Sequence, residues 1–195
     1  FAAALIMPYG RFLRACEATG YDLPLLQRRF GVGFEQLAHR LTTLQRVGQR
    51  GLPFFMARVD RAGQFSKRYA GASGTALLDS DRGCPLWVAH RAFERAGQLC
   101  VQHARFVEPS GQSSQWLTVA QTVEGNGPPG GDGPRFVVAL GIEVRLAGTL
   151  AQARGLALDE AIVIPIGPGC SACHSKDCAQ RSLPPRGAML AFDER

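Results

Sequence analysis

Long apolar runs are missing from this sequence: no stretch approaches the roughly 20 uncharged apolar residues that a helical membrane span requires. Phe1 to Met7 lacks the basic n-region of a signal peptide, so none is expected in these residues. The cysteines do not look like a disulfide framework either, since they form one cluster plus singletons, and the setting expected is reducing and cytoplasmic. Catalytic signatures are absent as well. There is no His-Glu-x-x-His, no Gly-x-x-x-x-Gly-Lys-Ser/Thr and no Gly-x-Ser-x-Gly. His39, His90, His103 and His174 are scattered, and no Ser, His and Asp grouping follows from spacing, so the sequence is not expected to be an enzyme. Gly125-x-Gly127-x-x-Gly130 matches the dinucleotide pattern, but Pro128 and Pro129 forbid the helix that should begin there. Gly31-x-Gly33 lacks the third glycine and follows a helix.

What is present is enough for one domain, or one domain with a small helical extension, in 195 residues. With 46% apolar and 19% charged residues the chain is globular. A net charge of +6 favours acidic partners such as nucleic acid, a phosphorylated cofactor or an anionic surface, and equally fits an ordinary solvated basic surface. Phe1 stands where an initiator Met is usual, so the chain is expected to be a fragment of a longer polypeptide.

The most informative stretch runs from Ile164 to Pro185 and carries Cys170, Cys173 and Cys178 at C-x2-C-x4-C spacing, in a loop of Gly, Pro and Ser that follows a β-branched run. Two-residue spacing lets neighbouring sulfurs face one centre, and the preceding glycines supply the backbone freedom such a turn needs. A soft-metal centre normally takes four ligands. The fourth is expected to be Cys84, in the turn Asp81-Arg-Gly-Cys84-Pro-Leu-Trp87; His174 is the alternative, although it adjoins Cys173 and neighbours rarely converge on one tetrahedral ion. Four thiolates leave zinc or an iron-sulfur cluster, and spacing does not choose between them.

Residues 1–50 read as helical, with Leu5, Ile6, Tyr9, Phe12, Leu13 and Cys16 at three- and four-residue intervals and a break at Gly20 to Pro24. Leu25 to Arg46 looks like helix, glycine turn, helix, resembling a helix-turn-helix. The start of its second helix is Val32-Gly-Phe34-Glu-Gln36, which sets an aromatic and an acid where base-reading groups usually stand. From residue 51 the period is that of strands. Pro53 to Asp60 and Gln64 to Tyr69 flank the loop Arg61-Ala-Gly63, with further strands at Leu99 to Phe106, Gln115 to Val123, Arg135 to Ile142 and Ala161 to Ile166. Leu86 to Ala96 reads as a helix and Arg145 to Ala153 as a second one. The fold class expected is α+β: a helical segment over 1–50, then over 51–195 an antiparallel sheet of GAF or PAS type with helices on one face and a C-terminal cysteine loop.

The first hairpin concentrates Arg58, Arg61, Lys67, Arg68 and Tyr69. Alternation puts Lys67 and Tyr69 on one face and Arg68 with Ser66 on the other. A cation beside an aromatic suits a nucleotide with phosphates, and it equally suits a solvated edge that discourages aggregation. Phe54, Phe55, Phe65, Trp87 and Phe136 could line an apolar tunnel or fill a plain core.

The segments Phe34 to Arg46, Gly51 to Arg68, Cys84-Pro-Leu-Trp87 and Ile164 to Pro185 together resemble the short-chain fatty-acyl-CoA regulators, a family of bacterial transcription factors. The resemblance implies a sensory region that binds a short acyl-CoA, propionyl-CoA among them, and controls DNA binding. It also implies a four-iron four-sulfur cluster on Cys84, Cys170, Cys173 and Cys178, with zinc as the alternative occupant. The candidate acyl-CoA residues are Arg40, Arg58, Lys67, Arg68, Tyr69 and Trp87. A DNA-binding helix-turn-helix and a peptidase-like region are expected before Phe1, and a homodimer is expected for the regulator. The rival is a zinc-stabilised DNA-binding module that uses the internal helix pair.

Overall fold

The computed structural model describes residues 2–80, 82–125, 133–156, 158 and 163–187. Four short helices come first: α1 (Ala2–Ile6), α2 (Tyr9–Thr19), α3 (Leu23–Phe30) and α4 (Phe34–Thr42). Their ends are written locally. Pro8 cannot donate to a preceding carbonyl and separates α1 from α2. Gly20 takes the left-handed conformation that closes α2, and the Asp22 side chain accepts the Leu25 N–H at 2.9 Å to open α3.

A two-stranded ribbon follows, β1 (Gln45–Arg46) and β2 (Gln49–Arg50), turned at Gly48 with Val47 at its exposed tip. Residues 45–50 therefore correct the helical expectation: Gly48 adopts a φ of +80°, which a helix does not contain. The main sheet comprises β3 (Phe55–Val59), β4 (Phe65–Tyr69), β5 (Cys100–Val107), β6 (Ser113–Glu124), β7 (Arg135–Glu143) and β8 (Ile164–Ile166). Its order is β4-β3-β7-β6-β5-β8, with every pair antiparallel except β8 against β5. The sheet is therefore mixed, not purely antiparallel. The expected second helix at 145–153 is instead two 3-10 turns, Val144–Thr149 and Ala151–Ala153. The first two residues of the expected strand at 161–166 lie outside the described residues, as does most of the glycine-proline loop before β7.

The sheet also corrects the expectation of helices on one face. Along β7, Val138, Leu140 and Ile142 point to the side covered by α1 to α4, while Val137 and Ala139 point to the opposite side. Both sets are buried, and so are Met56 and Phe55 on β3. A strand that is apolar at consecutive positions must be covered twice. The second cover is α5 (Val88–Glu94) with the turns around it and Ile166 of β8.

On the first side Cys16 is fully buried beside Phe12, Leu26 and Leu37, the core position its spacing predicts. Leu5 and Ile6 are instead exposed, because the chain restarts its helix after Pro8 and the two segments do not share one apolar stripe. Cys100 is also buried, on the second side.

A candidate thiol centre and a cationic edge

The turn that carries Cys84 is tied to the sheet from below. Gln102, buried on β5, accepts the Val88 N–H through its Oε1 at 2.8 Å and donates to the Leu86 carbonyl at 2.8 Å. The Trp87 N–H closes the turn on the Cys84 carbonyl at 2.9 Å. The short parallel pairing of β8 with β5 then brings the tail alongside. Gly169 has a φ of +84°, and a Cβ there would lie 2.9 Å from the Arg82 carbonyl, so the tail passes the Cys84 turn at a distance that excludes a side chain.

This approach gathers Cys84, Cys173 and Cys178 on the wall of one cavity of about 440 Å³, with Leu86, Pro165 and Ile166 as apolar neighbours. Burial pushes the Cys84 thiol above the usual cysteine range; the N–H groups of Gly167 and Leu86 pull it back, and Cys173 and Cys178 add to the rise. Cys170, half-buried on a 3-10 turn, is outside the cavity lining, and all four thiols are free of disulfides. Among the described residues no three Cys, His, Asp or Glu side chains already stand in metal-binding array.

The donor chemistry nevertheless fits a soft metal. Three sulfurs share a cavity, two backbone N–H groups converge on one of them, and Gly167 leaves room where a Cβ would come within 2.6 Å of the Cys173 sulfur. His174 and Asp177 line the same cavity.

The loop is held by Arg181, which sequence reasoning passes over. Its guanidinium donates to the Cys173 carbonyl at 3.2 Å, to the Leu183 carbonyl at 3.3 Å and to the Ser175 carbonyl. An Arg three residues beyond the last cysteine, in a loop short of regular hydrogen bonds, is the signal that could have found it. Gln102 has no such signal, because its partners lie 14 and 16 residues away.

The six candidate acyl-CoA residues separate into three places. Register pairs Arg58 with Lys67 and Met56 with Tyr69, so Arg58, Lys67 and Tyr69 share the helix-covered side. Arg58 lies over the Phe136 ring at 4.4 Å from its centroid and donates to Ser66 Oγ at 2.9 Å. Arg68, opposite Ala57, is on the other side and donates to the Leu78 and Ser80 carbonyls at 3.2 and 3.1 Å. Trp87 is on that other side too, fully buried against Phe55 and Phe65. Its Nε1 has no hydrogen-bond partner among the described residues. Arg40 is elsewhere, donating to the Met7 carbonyl at 2.9 Å beside the Tyr9 ring, which Arg46 also faces.

A carboxylate from α4 reaches the cationic edge. Glu35 Oε1 lies 2.5 Å from Lys67 Nζ, 3.4 Å from Arg58 Nη1 and 4.0 Å from His39 Nε2. Burial, then the nearby Lys67, push the His39 imidazole below its usual range, so it is neutral at pH 7 and the group carries a surplus positive charge. The same contacts engage α4: Phe34, Leu37, Ala38 and Leu41 are buried in the core and Glu35 is paired, which leaves Gln36 as the exposed side chain of its first turn.

Two family models match the chain. The family described as short-chain fatty acyl coenzyme A regulator, C-terminal, matches residues 43–195, and the IrrE N-terminal-like domain of the M78 peptidases matches residues 1–42. The second match corrects the expectation that the peptidase-like region lies wholly before Phe1: α1 to α4 fall within the residues it matches. The chain is 44% identical to the HTH-type transcriptional regulator PrpR of Mycobacterium tuberculosis (strain H37Rv), over all of this chain and 39% of that protein. It is 40% identical to the HTH-type transcriptional regulator RamB of M. tuberculosis (strain CDC 1551), again over all of this chain and 41% of the relative. It is 42% identical to the propionyl-CoA carboxylase regulator of Cereibacter sphaeroides, over 99% of this chain and 41% of the relative. A solved M. tuberculosis transcriptional regulator superposes with a TM-score of 0.87 at 42% identity, covering 99% of this chain and 58% of that one. The chain thus spans about two fifths of the length of these curated relatives. They are named for regulation and not for catalysis, and among the described residues no helix is long and apolar enough to cross a membrane.

Proposed function

Because the chain belongs to the short-chain fatty acyl coenzyme A regulator family, we propose that it is the ligand-sensing part of a transcription regulator, binding a short-chain acyl-CoA and so biasing DNA binding by a region outside it. The observation that carries the reading is the cationic edge, where Arg58 and Lys67 stand on one face with Tyr69 and the Phe136 ring. Coenzyme A offers phosphates for the cations and an adenine for a flat ring. The antiparallel run of strands β3 to β7 under a partial cover of turns supports the GAF/PAS-like description of the sensor. Propionyl-CoA is the first ligand to try, since one relative is named as a propionyl-CoA carboxylase regulator.

The thiol cavity would hold the second ligand, a four-iron four-sulfur cluster or zinc, through Cys84, Cys173 and Cys178, with Cys170 swinging in from its turn as the fourth donor. Bound there, the group would supply a covalent link between the mid-chain turn and the tail; the chain's own part is to orient the donors through Gln102 and Arg181. The rival use of α3 and α4 as a DNA reader is disfavoured by the first turn of α4, where Phe34 is buried and Glu35 is an acid paired with Lys67 and Arg58. A homodimer is the expected assembly, as for most two-fold operators.

Calorimetric titration with propionyl-CoA tests the reading. Heat saturating at one ligand per chain is expected, and no heat at millimolar ligand would defeat it. For the thiol centre, a brown anaerobic preparation with equal iron and sulfide supports the cluster, whereas a colourless protein with one zinc per chain favours the alternative.

A further inference from the structure

The carboxylate of Glu35 occupies the two cations on which the proposed phosphate contacts depend. All three of its close contacts converge on one oxygen, Oε1: Lys67 Nζ at 2.5 Å, Arg58 Nη1 at 3.4 Å and His39 Nε2 at 4.0 Å. The cations come from the β3-β4 hairpin, inside the part of the chain matched to the acyl coenzyme A regulators, while Glu35 comes from α4, inside the part matched to the peptidase-like domain. The pair is therefore a bridge between two differently matched regions, set at the edge of the sheet with Glu35 and Lys67 both in contact with solvent. We propose that Glu35 is an internal competitor of the ligand's phosphates: it holds Arg58 and Lys67 in the ligand-free protein and is displaced when a phosphate takes them, which releases the first turn of α4 from the hairpin.

The chemistry favours the exchange. A phosphate presents several oxygens and a larger charge to a guanidinium and an ammonium, where Glu35 presents one oxygen shared between them. Arg58 stays preorganised through the exchange, since Ser66 Oγ and the Phe136 ring hold its guanidinium independently of Glu35. Displaced, Glu35 enters water and keeps its favourable place in the first turn of a helix. The helix itself does not unfold, because Phe34, Leu37, Ala38 and Leu41 remain buried. What changes is whether its first turn is clamped to the hairpin, and by reciprocity whatever tightens that clamp from the helical side must weaken the ligand.

The inference rests on the proposed acyl-CoA reading, and one experiment distinguishes their failures. Propionyl-CoA is titrated calorimetrically into the protein and into Glu35→Gln, Lys67→Ala and Arg58→Ala, and amide exchange over Phe34 to Leu37 is followed in the unsubstituted protein with and without ligand. Glu35→Gln is expected to bind roughly three- to tenfold more tightly, the scale of two part-exposed ion pairs removed from competition. The two cation variants are expected to bind more weakly, and exchange over the first turn of α4 is expected to rise on ligand binding. Unchanged or weaker binding by Glu35→Gln, or unchanged exchange, with the cation variants still weakened, overturns the competitor and leaves the sensor reading standing. No binding by the unsubstituted protein defeats both.

Discussion

Both faces of the sheet are apolar but are closed by different means. On one side Met56, Leu117, Val119, Val138, Leu140 and Ile142 lie under four helices whose interior backbone groups bond within each helix. On the other, Phe55, Ala57, Val137 and Ala139 lie under one seven-residue helix, turns and the cysteine tail. Turns leave backbone donors and acceptors over, so that face depends on side chains: Gln102 satisfies the Cys84 to Val88 turn and Arg181 satisfies the tail. It is also the face with the 440 Å³ cavity. The difference teaches where a ligand can act. A helical cover stands without help, whereas a cover of loops gains from anything that joins them.

If that contrast holds and the thiol cavity takes the proposed metal, removing that metal has the largest effect and acts mainly on one face. Linking Cys84 to Cys170 closes a loop of about 86 residues, for which chain entropy alone corresponds to roughly 4–5 kcal/mol. Protein prepared anaerobically with iron and then stripped by chelator is expected to lose up to that much in denaturant unfolding. Amide protection should fall most around Cys84 and Ile166, and in α2 to α4 by no more than the loss in global stability. Equal loss on both faces, or no loss, breaks the comparison.

Trp87→Ala tests the same cover without metal. The indole is fully buried between Phe55 and Phe65, and its loss should cost about 3–5 kcal/mol, read as a fall in the urea midpoint. Gln102→Leu comes next: it keeps the volume but leaves the buried Val88 N–H and the half-buried Leu86 carbonyl without Gln102, at about 1–3 kcal/mol. A Gln102→Leu protein as stable as the original would mean that the turn finds other partners and that side chains do not hold this face.

How far the sequence anticipates this architecture depends on range. The break at Gly20 and Asp22, the first hairpin with Gly63 at φ +78°, and the division of Lys67 and Tyr69 from Arg68 are all local, written within a few residues, and all are found in place. That Cys84, Cys173 and Cys178 line one cavity is not local, and Cys170 is outside its lining, so the four expected thiols are brought together only in part. The second covered face does have a signal, in β7: Val137-Val-Ala-Leu140 is apolar at consecutive positions, and a one-sided sheet would alternate. The ribbon at Gln45 to Arg50 is missed because two-residue strands carry no periodicity. Glu35 reaching Arg58 across 23 residues, like Gln102 reaching Leu86, is set by packing and leaves no pattern in the chain.

The smallest effect probes the self-sufficient face. Asp22 opens α3 by accepting the Leu25 N–H at 2.9 Å, and Asp22→Ala removes that acceptor at an exposed helix end, where water takes its place. The expected cost is about 1 kcal/mol, spread over the whole transition without selective loss of protection in α3, because Leu23, Leu26 and Phe30 stay buried and hold the helix from the other side. Unfolding by urea, followed at once by helix signal and by tryptophan fluorescence, reads it. Both tryptophans, Trp87 and Trp116, belong to the loop-covered core, so coincident transitions mean the two faces unfold together. A helix signal lost ahead of the fluorescence would show instead that the helical cover detaches first, and would reverse the ranking of the two faces.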